Sequence, residues 1–240
     1  MSAEPSDALG RDVGAPTSFH LSISGPKLSR PRTFELHHPF AVIGRAEMAD
    51  IHLPDPQVSY RHAYLQFLDG ALFYIDLGSK TGIFREDERR TSGWWKPNQP
   101  LRIGSYTVAL LPAEHGESLK GCPERQSFDP LALLDAPHAF PNFVLEFHDA
   151  LMAETSYSIE RRITLIGQHA SCPIRLDSER VSRVHCSLVL TPAGLWVVDL
   201  LGKGGTLVRE KRDRYTALTD ASEFKIGDFR IGVYRQGRRP

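Results

Sequence analysis

The sequence predicts an all-β chain built from two β-sandwich domains in tandem. Three observations carry that prediction. Short segments rich in β-branched and aromatic residues recur about every 8–12 residues, separated by Gly, Pro, Asp or Ser. No window sustains the apolar period of about 3.6 residues that marks an amphipathic helix. The chain also aligns with itself, without a gap, at an offset of 123 residues.

The repeat sets the domain organisation. Ile43-Gly44 falls on Ile166-Gly167, Ile51 and Leu53 on Ile174 and Leu176, and Val58-Ser59 on Val181-Ser182. His62 meets His185, Leu65 meets Leu188, Leu72 meets Leu195, and Asp76-Leu77 meets Asp199-Leu200. Lys80 meets Lys203, Gly82 meets Gly205, and Ile103-Gly104 meets Ile226-Gly227. Chance does not hold one register this long, and the period is that of a duplicated domain rather than a solenoid unit. The expected boundaries are a disordered leader at 1–16, a first domain at 17–112, a linker at 113–141 and a second domain at 142–240. The linker carries FDPLALLDAP, where Phe128, Leu131, Leu133 and Leu134 suit a short docking segment or one helical turn.

The strands are read segment by segment. The first domain offers SFHLSI, FAVIG, ADIHL, YLQFL, LFYIDL, LRIG and YTVALL. The second offers NFVLEF, RITLIG, CSLVL, LWVVDL, GTLV, FKIG and FRIGVY. SGWWKPNQP reads as a loop between strands, with Trp94 and Trp95 either covering the sandwich end or forming an exposed aromatic patch. Apolar positions matched in both copies form the predicted core. These are Ile43, Ile51, Leu53, Leu65, Leu72, Ile75 and Ile103, then Ile166, Ile174, Leu176, Leu188, Leu195, Val198 and Ile226.

Composition excludes several function classes. With 41% hydrophobic and 24% charged residues the chain has enough apolar surface to fold. No apolar run approaches the roughly 20 residues of a membrane helix. The first residues lack the basic and apolar regions of a signal peptide, so the expected location is cytoplasmic, with no membrane partner. The 29 basic residues balance 29 acidic ones, and the basic tail RQGRRP is short, so no nucleic-acid partner is expected. The first domain has 11 basic against 9 acidic residues and the second 15 against 12, so both are mildly basic. Cys122, Cys172 and Cys186 make neither a disulfide framework nor a zinc site. The last two sit in apolar stretches and read as buried free thiols. No metal and no cofactor are expected.

Catalysis finds little support. The chain has no GxSxG elbow, HExxH, phosphate loop or dinucleotide fingerprint. Ser59, His62 and Asp76 are the one trio that invites an enzyme, but Ser59 and His62 lie three residues apart in a strand-flanking loop. No catalytic residue is assigned. His62 and His185 read as braces that hydrogen-bond nearby backbone, Asp76 and Asp199 as further loop braces, and Gly82 and Gly205 as turns of positive φ.

Gly44-Arg45, Asp50-Ile51-x-Leu53, Val58-Ser59-x-x-His62-Ala63 and Asp76-Leu77-x-Ser79-x-x-Gly82 stand in that order. Together they resemble the forkhead-associated (FHA) domain, whose pattern runs GR, D-I-x-L, V-S-R-x-H-A and D-L-x-S-x-N-G-T. The second copy supplies Gly167, Ile174, Leu176, Val181-Ser182-Arg183-x-His185, Asp199-Leu200 and Gly205-Thr206 at the same spacings. The resemblance implies two FHA-like β-sandwiches of eleven strands, whose loops at one end bind phosphothreonine peptides. It further implies a threonine-phosphorylated protein as partner and an adaptor role in Ser/Thr kinase signalling.

The residues suit that chemistry unequally. A phosphate monoester carries about −1.5 to −2 charges and is recognised by the guanidinium fork together with hydroxyl and backbone donors. Arg45 stands at the family's phosphate-binding arginine and Ser59 at its phosphate-contacting serine, with Arg61 adding charge in the same loop. Tyr60 replaces the family's Arg, Lys or Asn. Thr81 replaces the Asn that holds the ligand backbone, with Lys80 beside it and Ile83 where the family has Thr. In the second copy Gln168 replaces the arginine and Gly204 the Asn, while Ser182, Arg183 and Lys203 remain. That copy reads as degenerate, with at most a weak anion site at those three residues. Two binding modes stay open: phosphothreonine recognition by the first domain, or a phosphate-independent scaffold using the sandwich faces or the Trp pair.

Overall fold

A computed structural model describes residues 5–112, 128–134, 139–148 and 156–235. The chain divides into two compact units, Met1–Ser127 and Phe128–Pro240.

Among the described residues the first domain holds eleven strands. They are β1 (Phe19–Ser24), β2 (Arg32–Leu36), β3 (Phe40–Gly44), β4 (Ile51–His52), β5 (Ala63–Leu68), β6 (Ala71–Asp76), β7 (Ile83–Arg85), β8 (Glu88–Arg90), β9 (Ser92–Trp95), β10 (Leu101–Ile103) and β11 (Tyr106–Leu110). One sheet runs β2-β1-β11-β10-β7-β8 and the other β4-β3-β5-β6-β9. Pairing is antiparallel except between β3 and β4. The second domain repeats this with β12 (Phe143–Phe147), β13 (Ser156–Ser158), β14 (Ile163–Gly167), β15 (Ile174–Arg175), β16 (Cys186–Leu190), β17 (Leu195–Asp199), β18 (Thr206–Val208), β19 (Lys211–Arg212), β20 (Tyr215–Leu218), β21 (Ser222–Ile226) and β22 (Phe229–Arg235). Its sheets run β13-β12-β22-β21-β18-β19 and β15-β14-β16-β17-β20. The register repeats too: Ile43 faces Ile51 as Ile166 faces Ile174, and Leu65 faces Tyr74 as Leu188 faces Val197.

Burial explains the two kinds of strand sequence. β1, β12 and β21 alternate buried and half-buried positions, as expected where one face lines a core. β5 and β16 are buried along their whole length, and each buries one polar residue, Gln66 and Ser187, among apolar ones. Every predicted core residue is buried, none more than 3% exposed. In the first domain Phe19 of one sheet meets Phe67 of the other edge to face at 5.0 Å, which joins the two layers.

Several expectations are corrected. The leader is not disordered throughout: α1 spans Pro5–Asp12, with Leu9 and Val13 fully buried. The Val13 carbonyl accepts from Gly70 N–H at 2.9 Å, which fixes the segment to the β5–β6 turn. SGWW is strand β9 rather than a loop. Trp95 is buried and donates Nε1–H to the Gln99 carbonyl at 2.8 Å, while half-buried Trp94 meets Phe73 edge to face. The Trp pair is therefore packing, not an exposed patch.

The compact unit that contains the second sandwich runs from Phe128, so the segment 128–134 groups with it. Pro130 and Glu160 carbonyls link the segment to the sandwich, accepting from Ile163 N–H at 2.9 Å and from Leu134 N–H at 2.8 Å. Leu134 packs on the second core and Leu133 is exposed. Asp129 closes the segment into a turn by accepting from Leu131 and Ala132 N–H. Residues 113–127, which include Cys122, residues 135–138 and the tail after Arg235 lie outside the described residues. Cys172 and Cys186 are buried free thiols, and burial pushes the Cys172 thiol up to about 11. Among the described residues no helix is long and apolar enough to cross a membrane.

The matched cores give a paired test. Leu65→Ala and Leu188→Ala, each at a fully buried position, should each cost about 2–5 kcal/mol. Urea unfolding of the full chain measures this. A loss below about 0.5 kcal/mol, the range of ordinary surface changes, would contradict the core assignment.

Candidate functional site

Three loops meet at one end of the first sandwich: residues 45–50, 53–62 and 77–82. Arg45 N–H donates to the Ser59 carbonyl at 2.9 Å, Ala46 N–H to Tyr60 at 3.0 Å and Leu53 N–H to Gly44 at 2.8 Å. This close approach demands glycine at 44, because a Cβ there would stand 2.2 Å from the Tyr60 carbonyl oxygen.

His62 locks the loops together. Its ring is fully buried. Nδ1 accepts from Ser59 N–H at 3.1 Å, so Nε2 carries the proton and donates to the Gly82 carbonyl at 2.9 Å. Its backbone pairs with Ile43 and Leu77. Burial pulls its pKa below the ordinary value, outweighing the upward pull of the Gly82 carbonyl and the Asp76 carboxylate. Asp76 accepts from Ser79 N–H at 2.6 Å and from the Ser79 hydroxyl at 2.8 Å, and that hydroxyl accepts from Gly82 N–H at 2.9 Å. Gly82 has φ +89°, the left-handed conformation this turn needs.

On this frame stand the side chains of the candidate site. The Ser59 hydroxyl accepts Lys80 N–H at 2.9 Å, which leaves its own hydrogen to donate. Arg45 is exposed. Its Nε donates to the Val58 carbonyl at 3.3 Å, steadying the stem while the ends of the fork face solvent. Lys80 is exposed and Arg61 half-buried. Tyr60 is 61% exposed and Met48, across the loop contact, 62%. The Thr81 hydroxyl donates to the Gln57 carbonyl at 2.8 Å, so it ties two loops together. Arg45, Ser59, Tyr60, Lys80 and Thr81 are thus gathered on interlocked loops, with Arg61 in the same loop as Ser59.

The second domain copies the frame and changes its surface. Gln168 N–H meets the Ser182 carbonyl at 3.1 Å, His185 Nδ1 accepts from Ser182 N–H at 3.1 Å, and the Ser182 hydroxyl accepts Lys203 N–H at 2.8 Å. The Gln168 amide donates to the Ser178 carbonyl of the neighbouring loop, and Lys203 Nζ donates to the Glu179 carbonyl at 3.2 Å. Gly202 stands where the first copy has Ser79, and Asp199 accepts directly from the backbone N–H groups of Gly202 and Thr206. Arg183 is exposed.

A model of the FHA domain family matches residues 41–106 and again 164–227, together more than half of the chain. The protein belongs to the FHA family and carries two FHA domains. The oxoglutarate dehydrogenase inhibitor of Corynebacterium diphtheriae is 29% identical over 104 residues, covering 43% of this chain and 73% of that protein. Its namesake in Corynebacterium glutamicum is 32% identical over 83 residues, covering 34% of this chain and 58% of that protein. Among solved structures, Mycobacterium tuberculosis EmbR in complex with a low affinity phosphopeptide is 24% identical, with TM-score 0.38, over 42% of this chain and 26% of that one. The FHA domain of CT664 from Chlamydia trachomatis is 24% identical, with TM-score 0.37, over 40% of this chain and 98% of that one.

Sequence reasoning missed the carbonyls of Gln57 and Val58, which anchor Thr81 and Arg45. Backbone acceptors leave no mark in residue identity. It also passed over the matched pair Arg89 and Arg212, which stand at the same 123-residue offset as the motifs.

The His62 brace makes a test. Protonating Nδ1 would turn an acceptor into a donor facing Ser59 N–H. The unfolded chain therefore takes up this proton first, near about pH 6.5. The stability tied to neutral His62 is full above that pH and is lost as pH falls through the lower folded value. A ring-nitrogen NMR titration should find His62 protonated on Nε2 alone and titrating below about 6.5. Titration at or above that value would contradict the brace.

Proposed function

We propose that the first FHA domain binds a threonine-phosphorylated segment of a partner protein. The chain then serves as a cytoplasmic adaptor in Ser/Thr kinase signalling, with the second FHA domain a degenerate copy. One observation carries this reading. Arg45 with its stem held by Val58, and Ser59 with its hydroxyl turned by Lys80 N–H, present a charged and a neutral donor together on one loop end. A phosphate dianion is the ligand that uses both. The same frame in the second domain presents the neutral Gln168, engaged on the neighbouring loop.

The His62 contacts also support binding rather than catalysis. It is Ser59 N–H, not the hydroxyl, that meets the imidazole, and both ring nitrogens are occupied. A nucleophile paired to a base needs the opposite arrangement. The corynebacterial relatives are named as inhibitors of an enzyme, and a regulator that acts by docking onto its target is in keeping with two binding modules here.

A charge-assisted hydrogen bond contributes about 1.5–3 kcal/mol, so Arg45→Ala should weaken phosphothreonine-peptide binding about 10- to 150-fold. Ser59→Ala removes a neutral donor and should cost less. Gln168→Ala and Ser182→Ala should change little, and Thr81→Asn should tighten binding by restoring the family's backbone clamp. Calorimetry on the full chain, with a peptide drawn from a phosphothreonine library and its unphosphorylated twin, measures all five. Equal binding of both peptides, unchanged by Arg45→Ala, would overturn this function and favour a phosphate-independent scaffold.

A further inference from the structure

Arg89, on β8, lies across Gly82: a Cβ on that glycine would stand 2.5 Å from Arg89 Nε. Gly82 ends the 77–82 loop, which is hydrogen-bonded to Ser59 of the 53–62 loop. Two residues before it, Lys80 N–H meets the Ser59 hydroxyl, and its own carbonyl takes the His62 proton. A different strand pair from the one bearing Arg45 thus delivers a guanidinium to the rim of the site.

The other basic residues around this hairpin are engaged. Arg85 donates to the Trp94 carbonyl, Arg90 pairs with Glu88, and Arg102 pairs with Asp87 while lying over the Phe84 ring. Arg89 is exposed and, among the described residues, has neither a hydrogen bond nor an ion pair. Its counterpart shows the alternative. Arg212 lies across Gly205 in the same way, Nε 2.6 Å from the position of a Cβ, but donates to the Gly204 carbonyl. In the first domain that position is Thr81, whose hydroxyl is turned to Gln57. The matched arginine is therefore folded onto the loop before β18 where Gln168 replaces the arginine, and left open where Arg45 remains.

We propose that Arg89 is a specificity-determining residue that pairs with an acidic side chain flanking the phosphothreonine of the partner. This rests on the reading of the first FHA domain given above. Arg45 and Ser59 already meet the phosphate. A further fork, beyond Lys80 and Thr81 along the loop, meets the peptide beside it, and a carboxylate is the group on a peptide that a guanidinium fork fits.

The test uses the full chain and an alanine-background phosphothreonine peptide, scanned with a single Asp at each flanking position in turn. An exposed ion pair contributes about 0.2–1 kcal/mol. The wild type should therefore favour Asp at one position by up to about 5-fold at low salt, and less at high salt. Arg89→Gln should lose that preference and bind the all-alanine phosphopeptide as the wild type does. Arg89→Lys should keep part of it, and Arg212→Gln should leave it intact. A preference that survives Arg89→Gln, no preference in the wild type, or an equal loss for acidic and all-alanine peptides would overturn the proposal while leaving phosphothreonine binding in place. Failure of the wild type to bind the all-alanine phosphopeptide more tightly than its unphosphorylated twin would overturn both readings.

Discussion

The site depends on one buried imidazole held neutral. His62 accepts a proton from the backbone of one loop and donates one to the backbone of another, while its own main chain stays in register with β3. The loops it joins carry no ladder of their own, and a buried unpaired amide or carbonyl at either point would cost about 1–3 kcal/mol. The brace therefore sets where Ser59 and Lys80 stand, and through the Arg45–Ser59 backbone pair it sets Arg45 as well. Recognition side chains on exposed loops ordinarily lose entropy on binding. Here the positions of their backbones are settled by folding.

The duplication separates frame from chemistry. His185 repeats the brace, and Ser182 and Lys203 repeat the contact between loops. What differs is the set of side chains that face outward. Gln168 has no charge, and Gly204 has no side chain to cross to the neighbouring loop. Lys203 reaches a carbonyl of its own domain. The frame serves the fold of both domains, since it also ends β14 and begins β16. Its retention in the second copy is therefore no sign of ligand binding there.

Much of this was legible in the sequence because the core is apolar and repeated. Every matched pair from Ile43 and Ile166 to Ile103 and Ile226 is buried. Three of the missed strands are polar edges: β2 reads RTFEL, β8 ERR and β19 KR, and their stability comes from ladder pairing rather than from buried side chains. The β7–β8 and β18–β19 turns gave no glycine signal, because Glu86, Asp87, Arg209 and Glu210 adopt positive φ there. α1 was missed because two apolar residues, Leu9 and Val13, anchor it, too few for a periodic pattern. At the candidate site, residue types pointed to Arg45, Ser59 and Lys80, which the structure gathers on interlocked loops. The Thr81 strut and the stem contact of Arg45 end on carbonyls of residues whose identity is immaterial.

The central claim is that two loop ends with one shared frame differ in phosphate recognition because of the outward side chains alone. An amide NMR titration of the labelled full chain with a phosphothreonine peptide addresses both ends at once. The account predicts that the Arg45, Ser59 and Lys80 signals move with the phosphorylated peptide and stay still with its unphosphorylated twin, while those of Gln168, Ser182 and Lys203 stay still with both. Movement centred on Ser182 and Lys203, or equal movement with the two peptides, would contradict it.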